Sequence, residues 1–400
     1  MSTPPRRPPV EVAPPLSFSR SLAPLTLEAG ATLTPHRVAG WFWGSSLDAA
    51  RIASGESLVS EMKTVLLVHP LTSSAEAGGP NGFWDELIGK GRALRPWASR
   101  ILCFNLIGSC FGSIGPSEEA FPNRLHDTSF EAPIAVARGD LGYDEATLPA
   151  TVTPWDQARS ILMALASLGV AEVELVAGGS LGGMVAQCLL LLAPKMFPRV
   201  MTIAAPLAST ASMIGWNHVA REAVLRDTTY PTARSGLSIA RQIARMTYRA
   251  PASLQLRHGR RSAGPLHEGY GAFSPRMPYR VATYLRHHGD RFADDFDARS
   301  YVCLTLAMDH HDLERLPPDA YRDLNGTRVW NVRIPTDTLV DSASQAALSE
   351  FLRSLGADVS EVDLESVHGH DGFLTEVQAL GRMIKSAMES GAKEGRYIES

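Results

Sequence analysis

The sequence predicts an α/β protein: a mostly parallel central sheet, covered on both faces and interrupted by one helical insertion. Three observations predict it. Short apolar runs alternate with stretches of helical periodicity. The alternation lapses between about residues 215 and 325 and then resumes. One apolar run, Val173 to Ala177, meets a Gly-x-Ser-x-Gly pentapeptide and then at once a helix-forming run, Met184 to Leu192. A length of 400 residues allows two or three domains, and one large domain with an inserted subdomain fits equally well.

Taken in chain order, residues 1–24 are rich in proline and read as a disordered tail. Arg6-Arg7 is followed by Pro8 and Pro9 instead of an apolar stretch, so no export signal is read there. Thr64 to Val68, Arg100 to Phe104, Val173 to Ala177, Val200 to Ala204 and Thr327 to Ile334 read as strands buried on both faces. Asp156 to Leu168 has helical periodicity and stops at Gly169, a C-cap signal. Residues 215–325 hold helical, charged stretches and no strong strand. After them come a helix at Ala343 to Leu355 and a strand at Val359 to Leu364. The expected organisation is a core of residues 25–214 and 326–400 with a helical lid at 215–325.

The composition excludes several function classes. A formal charge of −4 argues against a general nucleic-acid binder. The longest apolar run, Met184 to Pro194, is too short to span a bilayer. Cys103, Cys110, Cys188 and Cys303 lie in or beside apolar runs without CxxC pairing, which reads as reduced thiols in a cytoplasmic protein. Met308-Asp309-His310-His311-Asp312 lacks a second ligand group at matching spacing, so no metal site is read. Gly108 to Gly115 lacks the lysine of a phosphate-binding loop.

The pentapeptide carries the chemistry. A serine held in a tight strand-to-helix turn crowds the positions two before and two after it, and Gly178 and Gly182 leave the room. Ser180 is the candidate nucleophile, above a helix N-terminus that suits developing negative charge. A serine hydroxyl needs a base, and the base needs an orienting acid. The α/β-hydrolase fold supplies them in the order Ser, Asp, His, from loops after later strands. Asp337 follows the strand ending at Ile334, with Asp341 four residues on. His370 follows the next strand, with His368 two residues before it, and the residues alone leave both histidines open.

Several stretches together resemble one family. They are His69-Pro70-Leu71-Thr72, Asn81-Gly82-Phe83-Trp84-Asp85, Asn105 to Pro116, Gly178 to Met184, Arg241 to Tyr248, Tyr284 to Phe292 and Gly369 to Leu374. In combination the chain resembles the homoserine O-acetyltransferases of methionine biosynthesis and their serine- and succinyl-using relatives, from about residue 27 to 385. The resemblance implies ping-pong acyl transfer with no bound cofactor and with acetyl-CoA or succinyl-CoA as co-substrate. Ser180 would take the acyl group, and the hydroxyl of L-homoserine would then receive it. The family's Gly-His-Asp motif favours His370 as the base, held by Asp337. Backbone N–H groups of Leu71 and Leu181 would form the oxyanion hole. Arg241 would meet the substrate carboxylate and Asp371 its amino group, with Tyr248 nearby. Family relatives commonly pair through their helical insertions, so a homodimer is expected. Serine or a secondary-metabolite hydroxyl as acceptor, a carboxylesterase using water, and a binding protein without chemistry are the alternatives. The chain departs from the family's pattern at Pro70, Ser73, Asn81 and Phe83, which bears on donor and acceptor choice, and at Leu181, whose backbone donation should survive the change.

Residues 221–261 contain nine arginines and no lysine, against two acids, Glu222 and Asp227. Arg241, Arg245 and Arg249 recur at the spacing of one helix face. Attraction of CoA phosphates and a solvated helix face are equally open readings of this stretch.

Overall fold

Alternate residues of the interior strands supply two separate apolar layers, one on each side of a single sheet. In the computed structural model, residues 10–59, 61–124, 147–262, 279–316 and 321–390 are described. The strands are β1 (Leu16–Leu22), β2 (Leu25–Thr26), β3 (Thr32–Leu33), β4 (His36–Trp43), β5 (Lys63–Val68), β6 (Ser99–Phe104), β7 (Leu175–Gly179), β8 (Arg199–Ile203), β9 (Arg328–Arg333) and β10 (Asp358–Asp363). Eight of them form one sheet in the order β1-β4-β6-β5-β7-β8-β9-β10, and β2 pairs with β3. From β6 to β10 every pairing is parallel, while β1 and β4 close one edge antiparallel. Leu66, Val68, Leu102 and Val176 face one layer with α1 (Ser46–Ser54), α2 (Pro154–Ser167) and α3 (Leu181–Leu192). Val65, Leu67, Ile101 and Ala177 face the other, with Trp84 and Leu87. That two-sided burial is why these strands read as continuous apolar runs.

The expected tail is corrected at its C-terminal end. Leu16–Leu22 forms β1 and pairs along its length with β4, so the chain is ordered well before residue 25. Its alternation of half-buried Leu16, Phe18 and Leu22 with serines suits an edge strand, and Phe18 meets Phe104 edge-on at 6.0 Å. Residues 1–9 lie outside the described residues.

Between β8 and β9 come α4 (Ala211–Leu225), α5 (Arg234–Tyr248), α6 (Pro251–His258), α7 (Arg280–Asp295) and α8 (Ala298–Asp309). The insertion begins at the Thr210 cap, whose hydroxyl accepts the Met213 amide, five residues before the expected boundary. A Cβ at Gly236 would lie 2.2 Å from the Ala223 carbonyl, and one at Gly289 would lie 2.5 Å from the Ser238 carbonyl. Glycine therefore lets α5 press directly on α4 and α7. The chain then re-enters the core through α9 (Ser342–Ser354), β10, α10 (Gly372–Thr375) and α11 (Val377–Glu389). Among the described residues no helix is long and apolar enough to cross a membrane.

Candidate active site

Ser180 stands between β7 and α3, near the middle of the sheet, with φ +55° and ψ −124°. The crowding expected around it is visible. A Cβ on Gly178 would lie 2.2 Å from the Gly182 carbonyl, and one on Gly182 would lie 2.2 Å from that of Val68. The Ser180 amide donates to the Ile203 carbonyl of β8 at 2.9 Å, so the neighbouring strand holds the turn.

The structure brings Ser180, His370 and Asp337 together. The Ser180 hydroxyl lies 2.9 Å from His370 Nε2, and His370 Nδ1 lies 2.6 Å from Asp337 Oδ2. With Nδ1–H donating to the carboxylate, Nε2 is free to accept the hydroxyl proton. All three side chains are buried. Asp337 Oδ1 accepts the amides of Leu339 and Val340 at 2.8 and 3.1 Å, which fixes the carboxylate from its own loop. The Thr336 hydroxyl donates to the Ser366 carbonyl at 2.7 Å and accepts the Gly369 amide at 3.2 Å, tying the acid's loop to the base's. Burial alone would depress the His370 pKa. The charge and hydrogen bond of Asp337, with Asp371 beyond, lift it above its ordinary 6.5.

His368 is turned elsewhere: Arg249 Nη1 donates to its Nδ1 at 3.0 Å, and Ser253 Oγ lies 3.2 Å from the same atom. Asp341 caps α9 by accepting the Ser344 amide at 2.7 Å. Neither reaches the serine.

Leu181 opens α3, and Leu71 follows the end of β5. Among the described residues neither amide meets a hydrogen-bond acceptor. His69, which opens one of the quoted motifs without a role there, braces this loop. Its Nδ1 donates to the Pro70 carbonyl at 2.9 Å and its Nε2 accepts the Leu106 amide at 3.1 Å. The Pro70 carbonyl shares a peptide unit with the Leu71 N–H, so fixing one aims the other. Burial, partly offset by the bond to Pro70, presses the His69 pKa down to about 4 and keeps the ring neutral.

Beside these groups a cavity of about 730 Å³ lies between lid and core, lined by Thr72, Ser73, Phe83, Phe111, Arg241 and Phe292 among others. The Arg241 guanidinium stacks over Phe292 at 4.9 Å and over Tyr248 at 5.9 Å, and its buried Nη1 has no hydrogen-bond partner. Burial, and then Arg245, pull its pKa below the usual guanidinium value. A cation so placed is suited to an incoming carboxylate. The Tyr248 ring lies 5.4 Å from that of His370. Asp371 is paired with Arg245 Nη1 at 2.7 Å and Arg249 Nε at 2.9 Å. The spacing of the three arginines placed them on one face, but their choice of partner depends on how the lid docks.

The glycine-rich loop after β6 packs on α8, where a Cβ at Gly108 would lie 2.8 Å from Cys303 Sγ, and it gives Phe111 to the cavity lining. In the 308–312 segment, Asp309 pairs with Arg221 at 2.5 Å and His311 Nε2 lies 3.0 Å from the buried Gln187 amide oxygen. Among the described residues no group of three or more His, Cys, Asp or Glu side chains is arranged to hold a metal ion.

The family model of the α/β hydrolase fold matches residues 63–298. The chain is 31% identical over 391 residues to the homoserine O-acetyltransferase of Chloroherpeton thalassium, covering 95% of this chain and 91% of that one. It is 33% identical over 386 residues to the protein of the same name from Salinibacter ruber, covering 93% and 97%. Among solved structures it is similar to homoserine O-acetyltransferase from Bacillus anthracis, with a TM-score of 0.74 and 17% identity over 94% of this chain and 97% of that one. It is equally similar to esterase E22, with a TM-score of 0.73 and 16% identity over 94% and 100%. At these identities the structural likenesses establish the fold.

Proposed function

The chain belongs to the homoserine O-acetyltransferase family of the α/β-hydrolase fold, and from that premise we propose that it transfers an acetyl group from acetyl-CoA to the side-chain hydroxyl of L-homoserine. The Ser180 hydroxyl attacks the thioester carbonyl while His370 Nε2 takes its proton and Asp337 stabilises the imidazolium. The Leu71 and Leu181 amides receive the oxyanion, a donor pair whose members are each worth about 100- to 1000-fold in rate. As the tetrahedral intermediate collapses, the C–S bond breaks and CoA leaves with the proton from His370. The homoserine hydroxyl then attacks the acetyl-serine ester with the same base, and Ser180 is regenerated as the O-acetyl product leaves.

The observation that carries this reading is the buried Arg241 Nη1 without a hydrogen-bond partner, on a guanidinium that stacks over Tyr248, whose ring lies 5.4 Å from that of His370. A hydrolase using water has no need of it, whereas an amino-acid acceptor brings the carboxylate it lacks. Tyr248 would pack against the acceptor between Arg241 and His370, and Asp371 would face its amino group. The family's tie to methionine biosynthesis supports a place in that route. Four cysteines outside any disulfide support a cytoplasmic location. Exposed Ile214, Trp216 and Val219 on α4, with Ile239 and Met246 on α5, support a homodimer formed through the insertion.

CoA release should be measured with acetyl-CoA or succinyl-CoA against L-homoserine, L-serine or water, with Ser180→Ala as control. Release that requires acetyl-CoA and homoserine and vanishes in the variant is expected. Release equally fast in water would make the protein a hydrolase.

A further inference from the structure

Asp371 lies next in sequence to the catalytic base, at the place where an acceptor's amino group is expected. Its charge is already matched. Arg245 Nη1 and Arg249 Nε both converge on its Oδ2, at 2.7 and 2.9 Å, and all three side chains are largely withdrawn from solvent. Arg241 sits one turn before Arg245 on the same face of α5, so its charge adds to theirs near this carboxylate without pairing with it. Asp337 cannot offset them, since it is committed to His370 and its own loop. Burial, and after it the positive charges of Arg245, His287 and Arg241, press His288 down to about 4. An ammonium arriving at Asp371 Oδ1 would gain one carboxylate and meet two guanidinium groups behind it. A carboxylate arriving at Arg241 meets a buried guanidinium with a free Nη1, in a cavity whose lining also carries Arg291, Glu76 and Asp295.

We propose that Arg245 is a specificity-determining residue: by occupying Asp371 it removes the site's demand for an ammonium. The acceptor is then recognised through its carboxylate, and hydroxy acids without an amino group are taken as well as hydroxy amino acids. This rests on the reading of Arg241 and Ser180 given above, and it widens the acceptor class from amino acids to hydroxycarboxylates.

The test is calorimetric binding to Ser180→Ala protein of L-homoserine, 4-hydroxybutyrate (no amine) and 3-aminopropan-1-ol (no carboxylate). The two carboxylates should bind within about threefold of each other, and the amino alcohol at least about 100-fold more weakly. Adding Arg245→Gln frees Asp371 and should move the ratio about tenfold toward homoserine, whereas Arg245→Lys, which keeps the charge, should leave it near its starting value. Homoserine binding about 100-fold more tightly than 4-hydroxybutyrate before any change at Arg245 would overturn the proposal. So would a ratio that Arg245→Gln leaves unmoved in protein with an intact melt, or no binding of either carboxylate. The mass of wild-type protein after acetyl-CoA treatment reports separately on the reaction. If Ser180 stays unacetylated while the binding ratios hold, the transferase reading falls and the acceptor preference stands.

Discussion

At the scale of single residues, the site rests on one imidazole whose proton affinity is raised by a carboxylate. The base works only when neutral, so activity should rise with pH through a value above 6.5, because the native pKa is lifted. In Asp337→Asn the lifting charge is gone and burial remains, so the acidic limb of kcat/KM should move to lower pH. The maximal rate should fall by about 10,000-fold as the wrong tautomer takes over. A pH–rate profile of the two proteins checks both. Ser180 and Asp337 were readable because each follows a strand end in the order the fold demands, while His370 was separated from His368 only by the family's Gly-His-Asp motif. His69 stood in a quoted motif without a role. Its work is done through hydrogen bonds to Pro70 and Leu106, and the Leu106 partner is brought near by tertiary structure alone. For the same reason the pairing of Asp371 with Arg245 and Arg249 had no signal beyond their spacing.

At the scale of elements, the parallel strands were legible because burial on both faces makes them apolar throughout. β1 and β4 were not, since an antiparallel edge mixes serine, arginine and aromatic residues and follows a proline-rich lead. The insertion was recognised by the loss of alternation, but its internal crossings were hidden in two glycines. Gly289→Ala places a methyl group 2.5 Å from a backbone oxygen of α5. It should lower the denaturant midpoint, costing about 1–3 kcal/mol, and should loosen α7, which carries His288 and Phe292 of the cavity wall. Chemical denaturation of the pair of proteins measures the first effect, and KM for the acceptor the second.

At the scale of the whole molecule, a chain of net charge −4 concentrates nine arginines in residues 221–261, of which Arg241 lines the cavity. Such a field should hasten the capture of the polyanionic CoA donor and be screened by salt. Raising ionic strength from about 0.05 to 0.5 M should lower kcat/KM for acetyl-CoA by about tenfold. The rate with a neutral donor such as p-nitrophenyl acetate should change by less than about twofold, and stopped-flow kinetics separates the two. The turn that displays Ser180 has a consequence of another kind. Its backbone lies at φ +55°, where a side chain is disfavoured by about 1–3 kcal/mol. Ser180→Gly should therefore melt at a higher temperature than Ser180→Ala, although both are inert, because glycine alone relaxes the turn. The fold is held short of its greatest stability at the one residue its chemistry cannot do without.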